Sequence, residues 1–336
     1  MILSKNKLID SNNGNVFLSY DYLKYQKSIG NDIWYFKEES MAIPVVILKR
    51  YFFRIATFPV EIISDKKFNL SEEREFLELV LQRLKIEGID WAMGTEASSI
   101  FPIYPNNSLW IPFGSYVVDL TLEEDELWKR VHSKHRNVIR KAKTEGVIIR
   151  ECHIEDLQDY MYMDEQTWNR SGKKSLGTEF YKLILDNMKD HARCYIAYYN
   201  EKPQGGAIIY FGKDRAYYMY GVSLDRPVSG AMNFLQWNII LELKKEGIKE
   251  YSFVGCRINE DKKSKYHGIQ QFKKRFGGEL REGYLFKIIF KNWKYNLFCE
   301  LIKIKNFSNK AADDIIDQEW NKWHKISKEQ ENESFY

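Results

Sequence analysis

A segment late in the chain, Gly268 to Gly278, combines residue types that could assist the transfer of an acyl group. Phe272 and Phe276 are four residues apart and share one face of a helical turn, so the intervening Lys273 points elsewhere. The two glycines that close the segment favour the end of a helix. A cation held by such an anchored turn could stabilise an anion, or the oxyanion that develops at a reacting carbonyl. A surface helix packed by its phenylalanines is the structural alternative.

The sequence offers no other motif for covalent or metal chemistry. It has no Gly-x-Ser-x-Gly elbow and no His-Glu-x-x-His pattern, and its four cysteines lie far apart. We therefore expect neither a metal nor a bound cofactor, and the cysteines should be buried free thiols. Attack of an amine on an activated acyl group needs alignment, a proton acceptor and charge stabilisation rather than an enzyme nucleophile. Lys273 is the candidate cation, and Asp119 is either the proton acceptor or a simple strand-end acid.

The most basic stretch runs from Lys129 to Lys143 and contains seven lysines or arginines and two histidines. Upstream of it, Thr121-Leu-Glu-Glu124 has the pattern of a capping box, which predicts one basic helix over residues 122–145. The phosphates of tRNA or of a pyrophosphate-linked substrate would suit such a face, and a solvated helix surface is the alternative. The candidates for phosphate contact are Arg136, Arg140 and Lys143.

The elements that must position these residues occur twice. Each half of the chain shows the pattern of a β-hairpin, a further strand, a helix ended by glycine, and another strand. The ranges are 33–48, 51–58, 71–87 and 89–93 in the first half, and 194–211, 216–222, 232–246 and 248–254 in the second. The matching order predicts duplicated α/β units.

Composition narrows the class of protein further. The chain has 336 residues, of which 44% are hydrophobic and 15% aromatic, so it can fill two cores and is not largely disordered. No run of 18 uncharged apolar residues occurs, and the N-terminus lacks the apolar middle of a signal peptide. The formal net charge of +4 is small for this length. We expect a cytoplasmic protein without a membrane-spanning helix.

Three motifs occur together in this chain: Arg136-Asn-Val-Ile-Arg-Lys-Ala-Lys143, Asn233-Phe-Leu-Gln-Trp237 and Phe272-Lys-Lys-Arg-Phe-Gly-Gly278. Their combination resembles the Fem family, the FemA/FemB/FemX-type aminoacyl transferases that add amino acids to peptidoglycan precursors. The likeness extends from about residue 32 to residue 290, which is most of the chain.

The resemblance implies an α/β fold of two tandem GNAT-like acyltransferase units, each a mixed sheet flanked by helices, that face each other across a cleft. Residues 1–146, including the basic helix 122–145, would form the first unit, and residues 147–290 the second. Residues 291–336 would be a helical tail that packs back on the first unit. Because residues 147–193 predict short helices, the chain is similar to the compact subtype without a coiled-coil arm.

The resemblance also implies site residues. The family's Phe-Lys pair falls on Phe272 and Lys273, so that Lys273 would act at the reacting carbonyl or phosphate and Phe272 would hold it in place. The family's cleft-lining stretch falls between residues 220 and 236, and a tyrosine lies just before the Phe-Lys pair. The substrate-binding candidates are therefore Phe272, Tyr220, Arg226, Asn233, Gln236 and Tyr266. Packing in the core is the alternative role for the tyrosines.

The implied activity is transfer of an amino acid from aminoacyl-tRNA to an amine of a muropeptide that is lipid-linked or nucleotide-linked, by a monomer without a cofactor. The aromatic and basic tail, from Trp293 to Trp323, would suit peripheral contact with the inner membrane face. The first alternative is an N-acyltransferase that uses acyl-CoA and acts on an amino sugar in surface-polysaccharide synthesis. Its phosphate loop would be Asp225–Ala231, where Ser229 replaces the first glycine. The second alternative is a non-catalytic RNA-binding protein that uses the basic helix.

Overall fold

The computed structural model describes residues 1–5, 14–154, 157–258, 264–305 and 314–322. The strands are β1 Ile2–Lys5, β2 Asp32–Glu38, β3 Met41–Arg50, β4 Phe53–Thr57, β5 Ile63–Ser64, β6 Trp91–Gly94, β7 Leu109–Asp119, β8 Ile148–Cys152, β9 Ala192–Tyr199, β10 Lys202–Phe211, β11 Arg215–Ser223, β12 Glu250–Arg257 and β13 Glu279–Ile289. The helices are α1 Tyr20–Ser28, α2 Leu70–Ile86, α3 Glu124–Arg130, α4 Ser133–Thr144, α5 Leu157–Arg170, α6 Thr178–Asn187, α7 Ala231–Lys245, α8 Lys265–Lys274 and α9 Asn292–Lys305.

The chain groups into two compact units. The first unit comprises residues 1–9, 30–114 and 282–336, and the second comprises residues 10–29 and 115–281. Both are interleaved along the chain, so each unit is assembled from segments that are distant in sequence.

The first unit is built on a mixed sheet. Strands β1 to β4 pair antiparallel in that order, β4 runs parallel to β6, and β6 pairs antiparallel with β13. Helix α2 begins at a capping box between Asn69 and Glu72 and ends before Gly88, whose φ of 81° suits glycine. Its apolar face joins the core of the unit through Phe76, Val80 and Leu84.

The second unit repeats this plan. Strands β8 to β11 pair antiparallel in order, and β11 runs parallel to β12. Helix α7 lies between β11 and β12 in the chain, as α2 lies between β4 and β6, and it buries Leu235, Ile239 and Leu243. The predicted order of hairpin, strand, helix and strand is therefore confirmed twice, and so is the α/β class with mixed sheets flanked by helices.

The predicted single basic helix over residues 122–145 is wrong. The segment forms two helices, α3 and α4, which are separated where Val131 takes up an extended backbone and is fully buried. Thr121 does not cap a helix, because its N–H and its hydroxyl both donate to Oδ1 of Asp119, at 3.0 Å and 2.6 Å. Helix α3 starts after Glu123 without a side-chain cap. Helix α4 is capped by His132, whose Nδ1 accepts from the N–H of Lys134 at 3.1 Å.

Helices α3 and α4 both belong to the second unit. The apolar side of α4, Ile139 and Ala142, lies in the same core as Leu235 and Ile240 of α7. At the other end of the chain, β13 belongs to the first unit from residue 282 onwards, because Phe286 to Ile289 pair with β6. The two units thus divide the chain differently from the predicted boundaries at residues 146 and 290.

Helix α9 packs on the first unit through two kinds of contact. Its Tyr295 and Phe298 lie against Trp91 and Phe53. Next to them, the buried carboxylate of Asp90 binds the ammonium groups of two lysines, Lys291 at 2.9 Å and Lys294 at 3.1 Å. Residues 306–313 and 323–336, including Trp323, lie outside the described part of the chain. No helix in the described part is long and apolar enough to cross a membrane.

Candidate active site

Helix α8 carries Lys273 and is anchored at both ends. The hydroxyl of Ser264 caps its start by accepting from the N–H of Tyr266 at 3.1 Å. Near its end, Phe276 is fully buried and stacks on Phe253 of β12, with ring centroids 5.1 Å apart. Because neighbouring positions of a helix point in different directions, this anchor turns Lys273 towards the end of β12, where its side chain is 8% exposed.

The ammonium of Lys273 is held by backbone carbonyls. Its Nζ donates to the carbonyl oxygens of Gly255 at 2.8 Å and Val254 at 3.2 Å. Val254 has a φ of 49°, which is unusual for a β-branched residue and costs about 1–3 kcal/mol. The hydroxyl of Ser252, which lies 3.0 Å from that of Ser115, accepts from the N–H of Val254 at 3.1 Å and supports this conformation. The strained backbone therefore presents two carbonyls to one cation.

Carbonyl oxygens do not neutralise the lysine as a carboxylate would. Burial lowers the pKa of Lys273 from its usual 10.5 to about 8, and the neighbouring Cys256 opposes this slightly. At neutral pH most molecules therefore still carry the ammonium, but in a dry setting where its charge is weakly screened. An ammonium has three N–H donors, and the third has no partner among the residues that the structure describes. A positive donor of this kind suits a developing oxyanion.

Lys273 lines a pocket of about 520 Å³. Phe272, Phe253 and Tyr218 provide aromatic walls, and Gly221 and Gly268 leave room where other residues would carry side chains. A Cβ at Gly221 would collide with the hydroxyl of Tyr218. The pocket can therefore receive a small group beside the ammonium, although no ligand is present to show which one.

His135 contacts the Phe-Lys pair of α8, a role that the sequence did not predict. Its Nε2 lies 3.1 Å from the carbonyl oxygen of Phe272, and its ring contacts Phe272 and Phe276 at centroid distances of 5.5 Å and 4.8 Å. Burial lowers the pKa of His135 from 6.5 to about 4, against the opposing effect of the Phe272 carbonyl, so the ring is neutral at physiological pH. The residue that positions α8 comes from α4, 137 residues away in sequence.

A model of the FemAB family matches residues 111–204, which run from β7 to the start of β10. Two glycyltransferases are similar in sequence: the "Lipid II:glycine glycyltransferase" of Staphylococcus haemolyticus (strain JCSC1435) is 32% identical over 78 residues, 23% of this chain, and that of Staphylococcus aureus is 31% identical over 87 residues, 24% of this chain. The solved structure of FemX has the same fold, with a TM-score of 0.64 at 14% identity, covering 86% of this chain and 95% of that one. The predicted resemblance to the Fem family is therefore confirmed.

The sequence similarity covers only part of this chain and of its relatives. The alignments to the two staphylococcal proteins cover 19% and 21% of their own lengths, so the sequence match spans about a fifth of these relatives. The family match ends before α8, so it contains His135 but neither Lys273 nor its carbonyl partners. The Phe-Lys site of this chain is therefore supported by its own geometry and not by the sequence matches.

Two of the predicted cleft residues form contacts within the fold. Tyr220 packs its ring against Phe180 and Tyr181, with centroids 5.6 Å and 5.7 Å away. Gln236 is fully buried, and its Oε1 accepts from the hydroxyl of Tyr251 at 2.7 Å. Neither lines the Lys273 pocket. Both placements are typical of core residues.

The remaining cleft candidates are accessible to differing degrees. Asn233 is half-buried in the first turn of α7, and Arg226 is exposed in the loop before that helix. Tyr266 is exposed at the start of α8, one turn before the pocket residue Ile269, and its ring lies 4.4 Å from the guanidinium of Arg257. These three remain predicted substrate contacts.

Asp119 is not brought to the Lys273 pocket. Its carboxylate is exposed and holds the turn at Thr121, and it lines a separate depression with Arg130 and Glu250. Glu250 begins β12, whereas the carbonyls bound by Lys273 come four and five residues later, about 13–17 Å along a strand. The placement therefore favours the strand-end alternative over the proton acceptor.

The three phosphate candidates differ in how they are used. Arg136 points inward and donates from its guanidinium to the carbonyls of Lys129 at 2.8 Å and Val131 at 2.9 Å, which closes the end of α3. Arg140 is exposed and lies over the ring of Trp128 at 5.2 Å, and Lys143 is exposed. The described residues contain no group of three or more His, Cys, Asp or Glu side chains that could bind a metal.

Proposed function

We propose that this protein is a Fem-type aminoacyltransferase that moves an amino acid from aminoacyl-tRNA to an amine of a peptidoglycan precursor. The observation that carries the proposal is the buried ammonium of Lys273, which reaches a pocket large enough for a small acyl group. The family match and the lipid II glycyltransferases that resemble residues of this chain support the same activity. On this proposal the acceptor is lipid-linked.

The chemistry needs little beyond placement and charge. The acceptor amine attacks the carbonyl carbon of the aminoacyl ester, so a C–N bond forms while the carbonyl oxygen gains negative charge. The third N–H of Lys273 donates to that oxygen in the transition state, where the hydrogen bond is strongest. The C–O bond to the tRNA then breaks, and the amine proton ends on the departing ribose oxygen. No side chain acts as a base, consistent with the placement of Asp119 away from the pocket.

The tRNA would use cations that are free to contact phosphate. Arg140 and Lys143 lie exposed on α4, whereas Arg136 is committed to the end of α3. Phosphate contacts of this type bind any tRNA and release counterions, so binding should weaken as salt rises. Because charged tRNA is the donor, we place the reaction in the cytoplasm and expect a monomer to suffice.

One observation favours the acyl-CoA alternative as a second candidate. Helix α7 follows Gly230, which has a φ of 83° and provides no side-chain cap, so the amides of Met232 and Asn233 could bind an anion, whereas the N–H of Ala231 donates to the carbonyl of Val228 at 3.0 Å. The same glycine lies against the carbonyl of Val138 so closely that a Cβ would collide with it. Helix α4 thus narrows the space for a CoA phosphate at the start of α7. The tRNA-dependent reaction therefore remains the first candidate.

A donor and acceptor matrix tests the proposal. The protein is incubated with radiolabelled charged tRNA or with acyl-CoA, and each donor is offered a lipid-linked muropeptide, a nucleotide-linked muropeptide and an amino sugar. We expect label to pass from tRNA to a muropeptide, and we expect Lys273→Ala to lose this transfer. Transfer from acyl-CoA to the amino sugar alone would establish the second candidate. Binding of tRNA with no transfer to any acceptor would instead support the RNA-binding alternative.

A further inference from the structure

The first unit contains a large apolar cavity that the proposed reaction does not use. Its volume is about 850 Å³, and it lies where α9 crosses the strands β3, β4 and β6. Its apolar lining includes Leu48, Ile55, Trp91, Met93, Phe298 and Ile302. A concave site of this size and lining is typical of a site for a small apolar molecule.

Helix α9 presents apolar residues on two sides. One side, with Tyr295 and Phe298, packs on the strands. The other carries Trp293 and Ile304, which are 64% and 70% exposed, and Leu301, which is 38% exposed and also lines the cavity. A single exposed apolar residue needs no explanation, but a group of them beside an open cavity indicates a partner.

The turn between β3 and β4 extends this apolar surface across the mouth of the cavity. Tyr51 and Phe52 line the cavity and are nevertheless 83% and 53% exposed. Tyrosine in such a position is common where a protein meets lipid, because its ring is apolar and its hydroxyl tolerates water, and Phe52 adds apolar surface beside it.

The charge around the mouth is positive. Segments 48–53 and 291–304 contain five lysines or arginines. Four of these cations pair with carboxylates, Lys49 with Asp32, Lys291 and Lys294 with Asp90, and Lys303 with Glu300, so the positive charge of the mouth centres on Arg50. Arg50 lines the cavity, is exposed, and donates to the carbonyl of Lys49. The one acidic residue of the lining, Asp314, binds the ammonium of Lys287 at 2.9 Å and shares it with Asp317. The mouth therefore suits the phosphate of an amphiphile whose hydrocarbon chain enters the cavity.

We propose that this cavity binds the prenyl chain of the lipid-linked acceptor, with a phosphate of that lipid at Arg50. The inference rests on the proposed function, which makes the acceptor lipid-linked. It adds a second contact for that acceptor: the amine reacts at Lys273, and the chain is held in the first unit. Recognition of the chain would let the enzyme prefer a lipid-linked precursor over a nucleotide-linked one.

Binding is measured by isothermal titration of the full chain with farnesyl phosphate, inorganic pyrophosphate and dodecyl phosphate, and by co-sedimentation with phosphatidylglycerol vesicles. We expect farnesyl phosphate to bind and pyrophosphate to bind at least tenfold more weakly, because most of the affinity comes from burial of the chain. Leu301→Glu should weaken farnesyl phosphate binding about tenfold, and Arg50→Glu should weaken it about fivefold or more. Matched controls are Ile86→Glu, at an exposed isoleucine outside the cavity, and Lys202→Glu, at an exposed lysine that begins β10.

Each remaining result overturns the proposal. Equal binding of pyrophosphate and farnesyl phosphate would show that the chain is not recognised, and preference for dodecyl phosphate would assign the cavity to a straight acyl chain. Binding to vesicles without binding of farnesyl phosphate would make this face a membrane-docking surface. No binding of any probe would mean that the cavity does not take a ligand of this kind.

Transfer assays separate this inference from the proposed function. Leu301→Glu should raise KM for the lipid-linked acceptor about tenfold and leave transfer to the nucleotide-linked acceptor unchanged. If no acceptor reacts but farnesyl phosphate binding is still lost in Leu301→Glu, the proposed function fails and the cavity assignment stands. If transfer occurs and Leu301→Glu behaves like Ile86→Glu towards both acceptors, the cavity assignment fails and the function stands.

Discussion

Two lysines are buried in the described part of the chain, one in each unit, and they are held in opposite ways. Lys287 in the first unit is 3% exposed and binds two carboxylates, Asp314 at 2.9 Å and Asp317 at 2.6 Å. Lys273 in the second unit is 8% exposed and binds two carbonyls. Burial alone would lower the pKa of both, but the two carboxylates reverse this effect and raise the pKa of Lys287 above its usual value, whereas that of Lys273 falls to about 8.

This difference separates a structural cation from a functional one. The charge of Lys287 is neutralised within the fold, and its partners tie the segment after residue 314 to β13. The charge of Lys273 is stabilised by dipoles alone, beside a strained residue and a pocket. A protein keeps such an arrangement at a cost in stability, which is typical of active sites. The two lysines should therefore respond to mutation in opposite ways.

The largest change in stability should come from Lys287→Met. Removal of the ammonium leaves Asp314 and Asp317 facing each other in a half-buried site, so the free energy of unfolding should fall by about 3–5 kcal/mol in urea titrations. Adding Asp314→Asn and Asp317→Asn to this variant should recover much of the loss, because the uncompensated charges are then gone. A loss below about 1 kcal/mol would contradict the structural role.

Lys273→Met should show the reverse pattern. Without the donor at the carbonyl oxygen, transfer from charged tRNA should slow by about 10²–10³-fold, equivalent to roughly 2.7–4 kcal/mol. The free energy of unfolding should stay the same or rise, because a poorly compensated buried charge is replaced by an apolar chain of similar length. Single-turnover assays and urea titrations on the same preparation check both. A variant that transfers at the normal rate would remove Lys273 from the mechanism.

Acidic pH should weaken the contact between His135 and α8, the helix that carries Lys273. Folded His135 has a pKa of about 4, below the value of about 6.5 in an unfolded chain, so the unfolded state binds more protons between these values. Its contribution to stability is therefore complete above pH 6.5 and is lost as pH falls towards 4, by at most roughly 3 kcal/mol. His135→Asn should have lower stability at pH 7 and a flatter dependence over this window. Equal slopes for both proteins would contradict the assignment.

Alkaline pH should switch off the reaction while the fold remains. If the ammonium of Lys273 is the working form, transfer should fall about tenfold per pH unit above its pKa of about 8. Lys273→Arg keeps a positive charge at every accessible pH, so any activity it retains should lack this falling limb. If the fall in rate at high pH is unchanged in Lys273→Arg, it belongs to another group, such as the acceptor amine or the ester donor.

Local patterns were enough to predict the repeated strand and helix order and the Phe-Lys turn. Helix ends marked by Gly88 and Gly247 and the alternating strands depend on neighbouring residues, which the sequence displays directly. The break at Val131 was missed because burial of that residue and the Asp119–Thr121 turn override a regular helical pattern. The role of His135 and the φ of Val254 depend on contacts between distant segments, and a single sequence carries no signal for them.

The smallest effects should distinguish two arginines on α4 in the same way as the two lysines. Arg136→Ala removes three bonds to the carbonyls at the end of α3, so it should cost about 1–2 kcal/mol of stability. Arg140→Ala loses only its contact with the ring of Trp128 and should cost less than about 0.5 kcal/mol.

If Arg140 contacts a phosphate, however, its loss should reduce the slope of log binding constant against log salt for tRNA by about one. Filter binding at several salt concentrations measures this slope, with Lys202→Ala as the control. The contrary result would be an unchanged slope in Arg140→Ala together with a reduced slope in a folded Arg136→Ala. Arg136 would then leave the α3 carbonyls to bind tRNA, and the division between structural and functional cations would not apply to this helix.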